Sequence, residues 1–177
     1  SNLEMCALVG AVLGAGSDTA VDLHSYLIKN LLQHPDQFEL LKANPKLVQG
    51  SISETLRFES SGKTGLARYA SEDLEINGCK IKKGQMVQLI TSTAGMDSSI
   101  YDEPRKFDIQ RDHDKSISFG QGPHYCIGVT LVRSQTEVML NELLKRFPNL
   151  SLGDEIVYDY KHHNSRRMDV MIVNTNL

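Results

Sequence analysis

Apolar residues recur at helical spacing through residues 3–33, among them Leu8, Val12, Leu23, Leu27 and Leu31, and the pattern ends at His34-Pro35. This predicts one long opening helix. Pro35 suits the first turn of a second helix reaching about Leu41, and Pro45 opens a third over residues 45–58, where Val48, Ile52 and Leu56 share a stripe. From Thr64 to Leu89 the pattern shortens and is punctuated by Gly65, Gly78 and Gly84. Asn77-Gly78, between Leu74-Glu75-Ile76 and Ile81, is a hairpin signal, so a small antiparallel sheet packed against helices is expected. The stretch Val87 to Thr91 continues as a strand or a helix start. Residues 97–125 lack periodicity, and an irregular connection of that length is expected where a site is built. A further helix is predicted from about Cys126 to Phe147, stopped by Pro148. Two strands follow, Ile156 to Tyr160 and Met168 to Val173, joined by His162 to Arg167. The fold class is therefore mainly α with small β-sheets.

The 177 residues, 40% hydrophobic, suffice for one core or for part of a larger domain. A formal net charge of -3 gives no broad attraction to nucleic acid, which is not expected as a partner. The longest apolar run, Cys6 to Gly16, is too short to span a bilayer and has no basic residues before it. Neither a membrane span nor a signal peptide is expected there; the run reads as the buried middle of a helix without a capped start, with further protein upstream. Cys6, Cys79 and Cys126 lie far apart, with no paired redox motif and no disulfide framework, which suits a reducing cytoplasm.

The segment Phe119-Gly120-Gln121-Gly122-Pro123-His124-Tyr125-Cys126-Ile127-Gly128 carries the sharpest chemistry. A cysteine before a helix meets unpaired N–H groups and a partial positive charge, which favour thiolate and suit iron ligation. The glycines allow close approach of a flat ligand, Phe119 would shield the sulfur, and His124 could reach an acidic edge. On physics alone a buried structural cysteine reads equally well. Zinc held by His124, Cys126 and His162 or His163 lacks a proper four-ligand set. Glu54 and Arg57, three apart on one helix, can pair, ordinarily for about 0.2–0.5 kcal/mol at a solvated surface. Ala15-Gly16 lets a bulky planar group approach. The adjoining Asp18-Thr19 could pass protons or hold a water through a local irregularity in the helix, or could form a polar face or kink. Arg68 opens the small sheet, where a basic residue is usually just solvated.

The ten-residue segment resembles the haem-binding loop of the cytochrome P-450 superfamily at each fixed position, Phe-Gly-x-Gly-x-His-x-Cys-x-Gly, in the form common among soluble bacterial members. Glu54-x-x-Arg57 resembles the family's pair below the haem, with Arg111 standing where a third basic member is usual. Ala15-Gly16-Ser17-Asp18-Thr19 resembles the family's oxygen-activation segment. The resemblance implies the C-terminal part of that fold, from the middle of the long distal helix onward, with residues 1–177 a partial domain lacking its N-terminal half. It implies haem b, with Cys126 as metal ligand and Ala15, Gly16, Arg68, Phe119, Gly120, Gly122, His124 and Gly128 lining the cofactor. Arg68 and His124 would face the propionates, Asp18 and Thr19 would manage protons, and Glu54, Arg57 and Arg111 would be structural.

The implied activity is insertion of one atom of dioxygen into a small or medium apolar substrate, with electrons from a donor such as ferredoxin or flavodoxin with its reductase. The missing half would come as a preceding segment, another chain or a swapped protomer. The other readings are a haem-binding module without coupled turnover and a cofactor-free scaffold. Two departures from the pattern stand out: Val132-Arg133-Ser134-Gln135 puts an amide where a carboxylate is usual, and Ser60 to Lys63 lacks the usual prolines, which bears on the pocket wall.

Overall fold

A computed structural model describes residues 1–60, 62, 65–161 and 166–176. Helix α1 (Asn2–Gln33) leads into α2 (Pro35–Ala43), a 3-10 turn at Pro45–Leu47 and α3 (Val48–Phe58), with Pro35 and Pro45 each in a first turn as the sequence predicts. Ser1 accepts from the Glu4 amide at 3.3 Å and the Glu4 carboxylate reaches back, forming a capping box that the Ser-x-x-Glu spacing encodes.

Strands β1 (Leu66–Tyr69) and β4 (Met86–Leu89) pair antiparallel around the inner hairpin of β2 (Leu74–Ile76) and β3 (Cys79–Ile81). Asn77 (φ 48°) and Gly78 (φ 82°) both take the left-handed conformation that a tight hairpin turn of this kind demands. Both small sheets are largely exposed, so the expected packing against helices is not met. Residues 87–91 serve as both strand and helix start, since β4 runs into the short α4 (Thr91–Ala94). Between α4 and a 3-10 turn at Gly122–His124 there is no regular element, as expected. Helix α5 (Val129–Arg146) starts three residues after Cys126, later than predicted, with Gly128 as its N-cap. Strands β5 (Ser151–Asp159) and β6 (Arg167–Asn174) close the chain as an antiparallel pair.

The core lies where α1, α2, α3 and α5 meet. Leu23, Leu27 and Leu31 of α1 pack with Phe38, Leu41, Val48, Ile52 and Leu140, and with Phe107 and Ile109 from the irregular stretch. Full burial of each such side chain contributes about 1.5–3 kcal/mol. The first half of α1 behaves differently. Leu8 is 65% exposed and Val12 55%, against the expectation of burial, because nothing among the described residues packs over them. Helix α1 is long and apolar enough to cross a membrane by length and composition, with a mean hydropathy of 1.3 over an 18-residue window. Its last third is nonetheless built into the protein core.

Gly50 lets α3 approach the irregular stretch, since a Cβ there would sit 2.2 Å from the Ile109 carbonyl oxygen. Gly50→Ala is expected to lower unfolding stability by about 1–3 kcal/mol, the usual scale of overpacking, in urea titrations. Gly10→Ala, where a Cβ meets nothing within 4 Å, should instead raise it by up to about 1 kcal/mol through helix propensity.

Candidate active site

Cys126 is held in a loop closed by its own backbone. The Cys126 amide donates to the Phe119 carbonyl at 2.9 Å, the Gly120 amide to Ile117 at 2.8 Å and the Tyr125 amide to Gly122 at 3.0 Å. Gly120 (φ 75°) and Gly122 (φ 65°) take left-handed conformations that allow these reversals. The Cys126 thiol is free and half-buried, not sealed in an apolar core. Gly128 keeps room beside it: a Cβ there would lie 3.8 Å from Cys126 Sγ. No side chain caps α5, so the positive end of that helix faces the loop that carries the sulfur. His124 and Tyr125 are exposed, and Ile127 is 96% exposed.

Glu54 and Arg57 are both fully buried, which removes them from the class of weak surface pairs. Arg57 Nε donates to Glu54 Oε2 at 2.6 Å and Nη2 to Oε1 at 2.7 Å, a bidentate pair. The remaining guanidinium donors reach the carbonyls of Gly95 (2.6 Å), Pro104 (2.8 Å) and Lys106 (3.1 Å). All five Arg57 donors are thereby used. Glu54 also accepts from the Asp108 amide at 2.8 Å and from Arg111 Nε at 3.4 Å, while Arg111 donates to Asp102, Glu103 and Lys106 carbonyls. The structure thus gathers Glu54, Arg57 and Arg111 into one network that pins the irregular stretch before the cysteine loop.

On α1, the Ala15–Thr19 face is open, and a Cβ on Gly16 would meet nothing within 4 Å. The helix is unbroken there, contrary to the expected local irregularity: the Thr19 hydroxyl donates to the Ala15 carbonyl at 2.7 Å and Ser17 to Leu13 at 2.6 Å, satisfying each hydroxyl locally. Asp18 lies 3.5 Å from Arg167. Arg68 is exposed and donates to the Ala67 carbonyl at 2.9 Å. Among the described residues no hydrogen bond or ion pair joins the side chains of Arg68, Asp18 or Thr19 to the cysteine loop. Gln135, the departure on α5, is exposed. Among the described residues no group of three or more His, Cys, Asp or Glu is arranged to hold a metal ion. His162 and His163, with Ser61 and Lys63 of the proline-poor stretch, lie outside the described residues.

Sequence reasoning missed two side chains beside the loop. Arg133 of α5 donates to Ser53 Oγ at 2.9 Å and Gln49 Oε1 at 3.1 Å, and stands over the Phe119 ring at 5.3 Å. The available signal was its place in the Val132-Arg133-Ser134-Gln135 tract, read there only for the amide of Gln135. His113 lies 3.7 Å from Glu54 Oε2, beyond hydrogen-bond reach, with both ring nitrogens buried and without a partner. Desolvation holds its pKa below the ordinary histidine range; Glu54 opposes this and Arg57, Arg111 and Arg133 reinforce it. His113, Arg133, Ser53, Phe119 and Tyr125 line a recess of about 520 Å³ behind the loop.

The family model described as Cytochrome P450 matches residues 1–157 of this chain. The chain belongs to the cytochrome P450 family. It is 40% identical over 160 residues to the epothilone C/D epoxidase of Sorangium cellulosum, covering 90% of this chain and 38% of that protein. It is 42% identical over 140 residues to the biotin biosynthesis cytochrome P450 of Bacillus subtilis, covering 79% and 35%. The crystal structure of epothilone D-bound cytochrome P450epoK superposes with a TM-score of 0.93 at 39% identity, covering 98% of this chain and 43% of that one. CYP109E1 of Bacillus megaterium in complex with testosterone gives 0.94 at 28% identity, covering 100% and 49%. The P450 chain described here thus spans 35–49% of the length of these four relatives.

Glu54→Ala, which leaves the Arg57 cation buried without its carboxylate, is expected to cost about 3–5 kcal/mol, read by denaturant unfolding. His113 and His24 both have lowered pKa values through burial, so the folded chain prefers them neutral. The unfolded chain binds protons near the ordinary histidine pKa of about 6.5, so stability is full above that pH and falls as the pH drops below it. Thermal unfolding should show this slope before the carboxylates titrate, and His113→Gln should flatten it.

Proposed function

We propose that this chain is the haem-ligating portion of a cytochrome P450 monooxygenase that inserts one atom of dioxygen into a small or medium apolar organic substrate, using externally supplied electrons. The observation that supports it is the free, half-buried Cys126 thiol presented by a glycine-turned loop ahead of the uncapped end of α5. These residues fit haem b: the donor is a lone sulfur, the loop turns at glycines, and the Ala15-Gly16 face leaves room for a flat group. When bound, the haem supplies oxygen activation, with thiolate ligation favouring cleavage of the oxygen-oxygen bond.

The chain's own residues would divide the remaining work. Cys126 Sγ would ligate the iron, with Phe119 shielding it and Gly120, Gly122 and Gly128 keeping the approach clear. Arg68 and His124 would orient the propionates through charge-assisted hydrogen bonds. Asp18 and Thr19 would hold and pass protons on the opposite face, the Thr19 hydroxyl keeping its acceptor lone pairs while it donates to Ala15. Glu54, Arg57 and Arg111 would keep the loop in register.

The bare apolar first half of α1 favours a condition on this activity: coupled turnover needs further P450 sequence to exclude water, supplied upstream, as a second chain or by a swapped protomer. In these residues alone the chain would bind haem without coupled catalysis. The remaining partners are a redox donor such as ferredoxin or flavodoxin with its reductase, in a cytoplasmic setting. The relatives' names include an epothilone C/D epoxidase and a biotin biosynthesis cytochrome P450, so the substrate class is broad.

A reduced carbon-monoxide difference spectrum of the haem-loaded chain tests the ligand. A thiolate-type band lost in Cys126→Ser is the expected result. Haem uptake that gives the same spectrum in wild type and Cys126→Ser would remove the assignment.

A further inference from the structure

Asp18 and Asp22 stand one turn apart on the same face of α1, and the guanidinium of Arg167, the first residue of β6, lies between them. Arg167 Nη2 is 3.5 Å from Asp18 Oδ1, and Arg167 Nε is 4.0 Å from Asp22 Oδ1. The two acids differ in surroundings. The Asp18 side chain is 68% exposed and that of Asp22 only 7%. Both separations exceed those of a tight charge-assisted bond, about 2.7–2.9 Å, so the cation lies within ion-pair range of both carboxylates at once.

We propose that Arg167 is the positioning residue for Asp18, with Asp22 as its fixed anchor; the inference rests on the proton role given to Asp18 above. A planar guanidinium can serve two carboxylates at once from a rigid fork. Asp22, inside the protein, keeps Arg167 in place with little screening. Asp18, on the open side, is held by the free edge of the same cation. When the Asp18 side chain turns away, Asp22 still neutralises Arg167, and no buried charge is stranded. The arrangement selects one orientation of Asp18 and lets it leave at low cost. It also couples the β5–β6 pair to the one turn of α1 that carries Ala15 to Thr19.

The test begins with the 177-residue chain, in which three-bond couplings report the side-chain rotamers of Asp18. One rotamer should dominate in the wild type and in Arg167→Lys, and average out in Arg167→Gln. Rotamers indifferent to Arg167→Gln would overturn the clamp. The second arm uses the haem-loaded protein joined to the rest of a P450 domain. Peroxide released per dioxygen consumed should rise about threefold in Arg167→Gln, the size an ion pair of this exposure supports. The substrate KM should stay unchanged and Arg167→Lys should restore coupling. If Asp18→Asn releases more peroxide while Arg167→Gln does not, the positioning role is overturned. If the rotamers respond but Asp18→Asn leaves peroxide unchanged, the proton role of Asp18 fails and the clamp stands.

Discussion

The buried pairing of Glu54 with Arg57 is the interaction on which the rest of the architecture depends. Removing two charges from water costs several kcal/mol per ion, and the mutual attraction offsets this only when every remaining donor and acceptor is satisfied. Here each guanidinium donor has a partner, and three of the five acceptors are backbone carbonyls from the irregular stretch beyond α4. Glu54 adds the Asp108 amide and Arg111 from the same stretch. A segment without helix or strand has no ladder of its own to fix its path. The ion pair supplies that path, and Phe107 and Ile109 then enter the core. The stretch delivers the chain to Phe119, where the cysteine loop begins.

A second constraint acts on α1. Its last third is amphipathic in effect, with Leu23, Leu27 and Leu31 buried, whereas its first half is apolar and bare. A helix that is apolar all round is built to be surrounded by protein or lipid. The same open surface includes the Ala15–Thr19 segment, so the residues proposed to face the haem and the bare apolar residues belong to one continuous helix. The P450 relatives, each more than twice as long as the match, fit that reading of the surface.

Much of the local structure was legible in the sequence because local rules govern it. Pro35 and Pro45 start helices by removing an amide that the first turn does not need. Asn77-Gly78 turns a hairpin because both residues tolerate positive φ. Burial was less legible: Leu8 and Leu27 share a helical pattern, yet one is exposed and the other sealed, since periodicity does not say what lies opposite. His113 stood in no motif and Arg133 in a tract read only for Gln135, as their importance comes from Phe119, Ser53 and Glu54 arriving beside them through the fold.

The sequence by itself determined the family, the cysteine loop with its glycine turns, the helix starts and the Glu54-x-x-Arg57 spacing, because each is written in residues within about ten positions of one another. Only the tertiary structure decided that Glu54 and Arg57 are fully buried, that their donors and acceptors go to a stretch some fifty residues on, and that Arg167 reaches Asp18 from the far end of the chain. The physical reason is dielectric and distance. The strength of an ion pair depends on how much water the rest of the fold removes from around it, and no spacing along the chain carries that information.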